Sequence, residues 1–172
     1  PAATLSRDGP EAMSMVVLRR FALLLTVLLS AVWRAAAEAD GDHASYNLGV
    51  IYENGRGVKK DEAAAVRFYT KAAEEGHAES QYKMGIMKES GSGTDRDHES
   101  AIKFYRAAAD QGHSKAQAYL GFVYATGHNS MVKKNESEGI RYYREAAEQG
   151  HGQAQCNLGI MYQHGQGVPV DY

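Results

Sequence analysis

Apolar residues recur at helical spacing through residues 42–172, and the whole pattern repeats with a period of about 37 residues. In the first unit, apolar positions at i, i+4, i+7 and i+8 predict a helix from about Ala44 to Asn54 with one buried stripe. That stripe consists of Ala44, Leu48, Ile51 and Tyr52. The small residues Ala44 and Gly49 predict that a partner helix packs closely against this one.

A second apolar stripe later in the first unit predicts a second helix, antiparallel to the first. Gly55 follows the first helix and suits a left-handed cap, whereas Asp61 is placed to N-cap the second helix. Gly76 suits the position after the end of the second helix. The residues equivalent to Asp61 in the next two units are Asp97 and Asn135.

The same landmarks define four units, which we place at 42–77, 78–113, 114–151 and 152–172. The third unit lengthens its inter-helix loop by two residues, and the fourth is cut short before its second helix. A single hairpin cannot bury its apolar stripe, so neighbouring units must stack. The pattern therefore predicts an all-α fold, a right-handed α-solenoid of antiparallel helix hairpins with about three and a half repeats over 40–172.

The recurring positions resemble the Sel-one-like repeat, a relative of the tetratricopeptide repeat, over essentially all of 42–172. The second unit departs from the pattern with Thr94 in the place of Val58. The resemblance implies a scaffold that binds other proteins and is not an enzyme. In the first unit the pattern is carried by Ala44, Leu48, Gly49, Tyr52, Gly55, Gly57, Val58, Asp61, Phe68, Tyr69, Ala72, Ala73, Gly76 and His77.

The resemblance also implies that the first helices line a groove with the stripe opposite their core stripe. Counting i, i+4 and i+7 along each first helix gives a ladder of one apolar residue per unit, flanked by a tyrosine and a carboxylate in the first two units, which suits an extended peptide or a partner helix. The flanking residues are Ala118 and Ala125 in the third unit and Cys156 and Gln163 in the fourth. The alternative is that part of this ladder is core between repeats. The predicted groove residues are Tyr46, Val50, Glu53, Tyr82, Ile86, Glu89, Phe122 and Ile160.

The first 39 residues follow a different pattern. An arginine pair precedes the apolar run 21–33, and an alanine-rich segment follows it, so we expect a signal peptide over 13–39 and a mature chain from about Asp40. The run is shorter than the ~20 residues of a membrane-spanning helix, and the alternatives are a signal anchor or a chance hydrophobic segment. Residues 1–12 fit neither and are interpreted as an upstream or non-native segment. The leader places the protein in the secretory pathway, either in the endoplasmic reticulum lumen or secreted.

The composition mainly excludes certain classes of partner and of binding site. A formal net charge of -2 offers no basic surface for nucleic acid or an acidic membrane. We therefore expect a protein or peptide partner, with membrane attachment only through sequence outside this chain. Cys156 is the single cysteine, which excludes an intramolecular disulfide and a cysteine zinc cluster. We expect a half-buried thiol there, the alternative being a reactive or intermolecular one.

No set of residues typical of an active site stands out, so we expect no catalytic residue, metal or cofactor. His77, His113 and His151 occupy one position on successive units and do not converge as metal ligands would. We interpret them as polar residues next to helix caps. Some bacterial relatives pair cysteines in every hairpin and are linked to penicillin binding. The lack of such pairs makes a lactamase-like hydrolase the least favoured alternative.

One N-glycosylation acceptor, Asn135-Glu136-Ser137, lies at the start of a predicted helix. Asn135 is either glycosylated or simply an N-cap, and Glu138 has the spacing of a capping box. Taken together, the sequence predicts an interaction scaffold of the secretory pathway that resembles the lumenal adaptor of endoplasmic-reticulum-associated degradation. The alternative is a secreted or surface repeat protein that binds an external partner.

Overall fold

Helices make up most of the residues that the computed structural model describes, which are 43–128 and 131–167. The predicted leader and the segment before it lie outside these ranges. The described part contains no strand, which confirms the all-α repeat solenoid. The helices are α1 over 43–54, α2 Glu62–Glu74, α3 Ala78–Ser90, α4 His98–Asp110, α5 Ser114–Thr126, α6 Glu136–Glu148 and α7 Gly152–Gln163. None of those searched is long and apolar enough to cross a membrane.

Within each complete hairpin, a buried tyrosine of the second helix lies against a glycine of the first. A Cβ atom on Gly85 would lie only 2.7 Å from Cε1 of Tyr105, whose side chain is 1% exposed. The equivalent pairs are Gly49–Tyr69 and Gly121–Tyr143. The prediction that Gly49 allows close approach of the partner helix is confirmed. The side chain that packs against Gly49 is the ring of Tyr69.

Between hairpins, the predicted stripe of each first helix packs against the second helix of the unit before it. Leu120 and Val123 of α5 are fully buried in one cluster with Ala108 and Tyr105 of α4. The first unit differs because Ala44 and Leu48 are exposed. The described residues contain no helix before α1 that could cover them, so the stripe prediction is wrong for these two side chains.

The predicted caps of the second helices are confirmed. Asp61, Asp97 and Asn135 accept hydrogen bonds from backbone N–H groups three residues further on, at 2.8, 3.0 and 3.2 Å. The capping box at Asn135 is not formed: the backbone N–H of Asn135 donates to the carbonyl of Tyr124 at 2.8 Å. The Glu138 carboxylate, which the box would need, accepts from Arg141 instead.

The three histidines that follow the second helices are themselves N-caps of the next first helices. The Nδ1 atoms of His77, His113 and His151 accept from backbone N–H groups at 3.2, 3.2 and 3.3 Å. Gly76, which precedes His77, has a φ of 95° and occupies the left-handed position predicted for it. Each Gly-His pair therefore ends one helix and begins the next.

Candidate binding groove

The groove face is the surface formed by the eight predicted groove residues, Tyr46, Val50, Glu53, Tyr82, Ile86, Glu89, Phe122 and Ile160. Its apolar ladder is accessible to a partner, because Ile86, Phe122 and Ile160 are 38%, 37% and 51% exposed. Val50 is half-buried and packs against a core cluster. Three successive first helices thus each expose one large apolar side chain at the same repeat position.

The two tyrosines of the groove face, Tyr46 and Tyr82, lie at its side and belong partly to the core between repeats. The Tyr46 ring packs on His77 with the ring centroids 4.8 Å apart, and the Tyr82 ring stacks on His113 at 4.7 Å. Both rings also contact core clusters. For these positions the alternative interpretation, core between repeats, describes the contacts better than a free groove surface does.

The two carboxylates of the groove face are used within the protein. Glu53 accepts from the hydroxyl of Tyr69 at 2.6 Å and from Nζ of Lys83 in the next unit at 3.0 Å. Glu89 repeats the arrangement, since it accepts from the hydroxyls of Tyr105 and Tyr119. Each carboxylate therefore joins its own hairpin to the following one, and little of its hydrogen-bonding capacity is left for a partner.

These contacts shift the pKa values of the groups involved. Burial raises the pKa of the Tyr105 hydroxyl, and the neighbouring Glu89 carboxylate raises it further, so the phenol stays protonated and donates. Burial alone would also raise the pKa of Glu53. The hydrogen bonds from Tyr69 and Lys83 outweigh burial and leave the pKa of Glu53 below its ordinary value.

The lowered pKa of Glu53 predicts a loss of stability in acid. The ionised carboxylate stabilises the fold above the pH at which an unfolded glutamate titrates, about 4.3, and this contribution disappears as the pH falls through the lower folded pKa. We expect Glu53→Gln to flatten the dependence of the unfolding free energy on pH below about pH 4.5. Urea unfolding between acid and neutral pH measures this effect. Glu99→Gln, at an exposed ion pair, is the control and should leave the slope nearly unchanged.

A pocket of about 570 Å³ opens in the groove face between the third and fourth units. It lies where the third unit has Ala118 at the position of Tyr46 and Tyr82. Because Ala118 has no ring to stack on His151, the space that a tyrosine would occupy is open. The pocket is lined by Tyr82, Lys115, Ala118, Tyr119, Phe122, His151, Gln153 and Asn157.

Ala118 lies on the predicted stripe as the equivalent of Tyr82, but five other lining residues were not predicted from the sequence: Lys115, Tyr119, His151, Gln153 and Asn157. The prediction followed a single stripe on each first helix and left out the adjacent position, held by Lys83, Tyr119 and Asn157. These three side chains contact Glu53, Glu89 and Tyr143 of the unit before. Comparing that position across the aligned units would have identified it, since its residues are polar or aromatic in every unit.

Two further predictions concern single residues. Cys156 was expected to be half-buried, but it is exposed, because no described helix follows α7 to cover it. Asn135 is exposed and uses its side-chain oxygen as the N-cap of α6, so glycosylation there stays a prediction. Within the described ranges, no group of three or more histidine, cysteine or acidic side chains could hold a metal ion.

Stacked hairpins with an exposed ladder on the first helices define an α-solenoid scaffold. The Sel1 repeat profile matches residues 42–77, 78–113, 114–151 and 152–172, and the chain belongs to the Sel1 repeat family. Proteins of this family are generally non-enzymatic scaffolds that bind other proteins. No curated protein matches the chain significantly.

Two solved structures that are similar to this chain come from bacteria. A Sel1 repeat protein from Oxalobacter formigenes is 40% identical with a TM-score of 0.68, covering 79% of this chain and 53% of that one. A protective antigen of uropathogenic Escherichia coli strains, which displays the same repeat fold, is 38% identical with a TM-score of 0.71, covering 78% and 28%. This chain therefore spans about half or less of the length of either protein. Neither structure supports the resemblance to the lumenal degradation adaptor.

Proposed function

We propose that this chain is a scaffold that binds a protein partner through the groove face. The observation that carries the proposal is the row of exposed apolar side chains on successive units, Ile86, Phe122 and Ile160. Large apolar side chains exposed on one face favour an interaction site, because burying them gains about 25 cal/mol per Å². Buried apolar positions face the neighbouring helices, so the exposed row is additional to what the fold requires.

An extended segment of the partner fits this surface better than a globular face does. The exposed side chains recur once per repeat along a line, and an extended peptide likewise presents side chains at regular spacing along one side. The pocket at Ala118 interrupts the line and offers a place for one larger side chain. The pocket would contribute to both affinity and specificity, and the ladder would add to the affinity.

Photo-crosslinking in the cell that makes the protein tests this function. A benzophenone amino acid at position 122 is expected to form adducts with a protein partner, because Phe122 lies in the ladder beside the pocket. Met131 is the matched control, since it is a large apolar side chain that is 57% exposed but lies outside the groove face. Adducts of equal yield from positions 122 and 131 would contradict the proposal.

The compartment is a separate proposal that rests on the leader predicted at 13–39. The leader favours a place in the secretory pathway, where a scaffold of this family could serve protein quality control in the endoplasmic reticulum. The similarity to a bacterial protective antigen favours the second candidate, a secreted or surface protein that binds an external partner. Cell fractionation distinguishes the two candidates, because a quality-control scaffold is retained in the lumen, whereas a secreted or surface protein is released or displayed.

A further inference from the structure

The boundary between the third and fourth units differs in charge from the boundary before it. Between the second and third units, Nε2 of His113 lies 2.8 Å from a carboxylate oxygen of Glu79. The same repeat position in the third unit holds Lys115, and the histidine facing this boundary is His151. The acceptor Glu79, at the boundary between the second and third units, is thus replaced by the cation Lys115 at the boundary between the third and fourth units.

His151, at the boundary between the third and fourth units, has a ring N–H donor with no partner among the described residues. Nδ1 of His151 accepts from the backbone N–H of Ala154 at 3.3 Å, so the proton of the neutral ring is on Nε2. His113 shares this arrangement and donates to Glu79. Among the described residues, neither Nε2 of His151 nor Nζ of Lys115 has a hydrogen-bond or ion-pair partner.

Three of the other polar side chains that line the pocket already have hydrogen-bond partners within the protein. Gln153 donates to the side-chain oxygen of Asn157 at 2.9 Å, and the Asn157 amide donates to the hydroxyl of Tyr143 at 3.0 Å. Tyr119 donates to Glu89, a carboxylate outside the pocket lining that Tyr105 also binds. The pocket therefore combines one unpaired cation and one unpaired N–H donor with the apolar wall of Phe122 and Ala118.

We propose that this pocket binds an acidic side chain of the peptide partner, next to an apolar side chain that packs on Phe122. The inference rests on the proposed function and gives the partner its chemistry. A carboxylate can accept from both Lys115 and His151, and hydrogen bonds between charged groups are the stronger kind. The neighbouring side chain covers Phe122, which is 37% exposed, and removes water from the ion pair.

Selection of a random peptide library displayed on phage against the whole chain tests the inference. Recovered peptides are expected to carry aspartate or glutamate beside an aliphatic or aromatic residue. Changing that acid to its amide should weaken binding at least about tenfold, since an interfacial charge pair is lost. Lys115→Met should weaken it to the same extent, whereas Lys133→Met, at an exposed lysine outside the pocket, should have no effect.

The outcomes separate the inference from the proposed function. Peptides that bind without acidic residues would overturn the inference and leave the groove intact, whereas recovery of no peptide would overturn both. Lys115→Glu provides a second measurement, because it recreates at His151 the pair that His113 forms with Glu79. We expect this variant to be at least as stable as the natural chain in urea and to lose the acidic peptides. Unchanged affinity of Lys115→Glu for those peptides would overturn the inference.

Discussion

Replacing Gly121 with alanine is expected to destabilise the protein by about 1–3 kcal/mol, the usual effect of overpacking a core. The new Cβ atom would lie 2.6 Å from Cδ1 of Tyr143, well inside contact distance. The Tyr143 ring is 3% exposed and packs within a core cluster, so it cannot move aside without opening that cluster. Steric strain therefore outweighs the ~1 kcal/mol that alanine gains over glycine in a helix.

Gly159 supplies the control because it occupies the same repeat position in α7. Nothing lies within 4 Å of a Cβ atom placed on Gly159. Gly159→Ala should stabilise the protein by up to about 1 kcal/mol through the lower entropy of its unfolded chain. Urea denaturation of the two variants is the measurement, and the expected result is a change of opposite sign. Destabilisation of similar size by both alanines would show that the contact with tyrosine is not the cause.

The repeat, the helix ends and the stacking were predictable because they depend on local residue types. Gly76 and Asp61 are placed by backbone conformation and hydrogen-bonding capacity, which each residue carries with it. The apolar stripe around Leu120 follows from the spacing of 3.6 residues per turn. The caps form whatever the neighbouring unit contributes, whereas burial of the stripe needs a neighbouring helix, as the exposed Ala44 and Leu48 of the first unit show.

The roles of the groove carboxylates were not predictable in this way. A helical spacing places Glu53 opposite the core stripe but does not show that the Tyr69 hydroxyl reaches it across Gly49. That contact depends on the length of a tyrosine in another helix and on how closely the helices pack. The same holds for Glu89, which appeared to be a free carboxylate of the groove and is held by two hydroxyls.

The pocket depends on departures from the repeat and not on the repeat itself. Ala118 and Lys115 are ordinary residues when each is considered alone. Their equivalents one unit earlier are Tyr82 and Glu79, which both contact His113. Ala118 and Lys115 do not provide these two contacts to His151. The site can be located by comparing the units position by position, once the packing at one boundary between units is known.

Refilling the pocket is therefore expected to weaken peptide binding. In Ala118→Tyr the new ring can pack on His151, as the rings of Tyr46 and Tyr82 pack on their histidines with centroids 4.8 and 4.7 Å apart. We expect peptide affinity to fall at least about tenfold, as for loss of a central interface contact. The unfolding free energy should be unchanged or higher, because the ring buries apolar area. Ala118→Ser keeps the side chain small and should bind as the natural chain does.

The affinity of Ala118→Tyr for the selected peptides, measured together with its urea unfolding curve, tests the central claim most directly. The claim is that the binding site is the space left by Ala118 between Tyr82, Phe122 and His151. It predicts that the peptide affinity falls at least about tenfold while the unfolding free energy is retained. Peptide binding at the natural affinity by a stably folded Ala118→Tyr variant would contradict it.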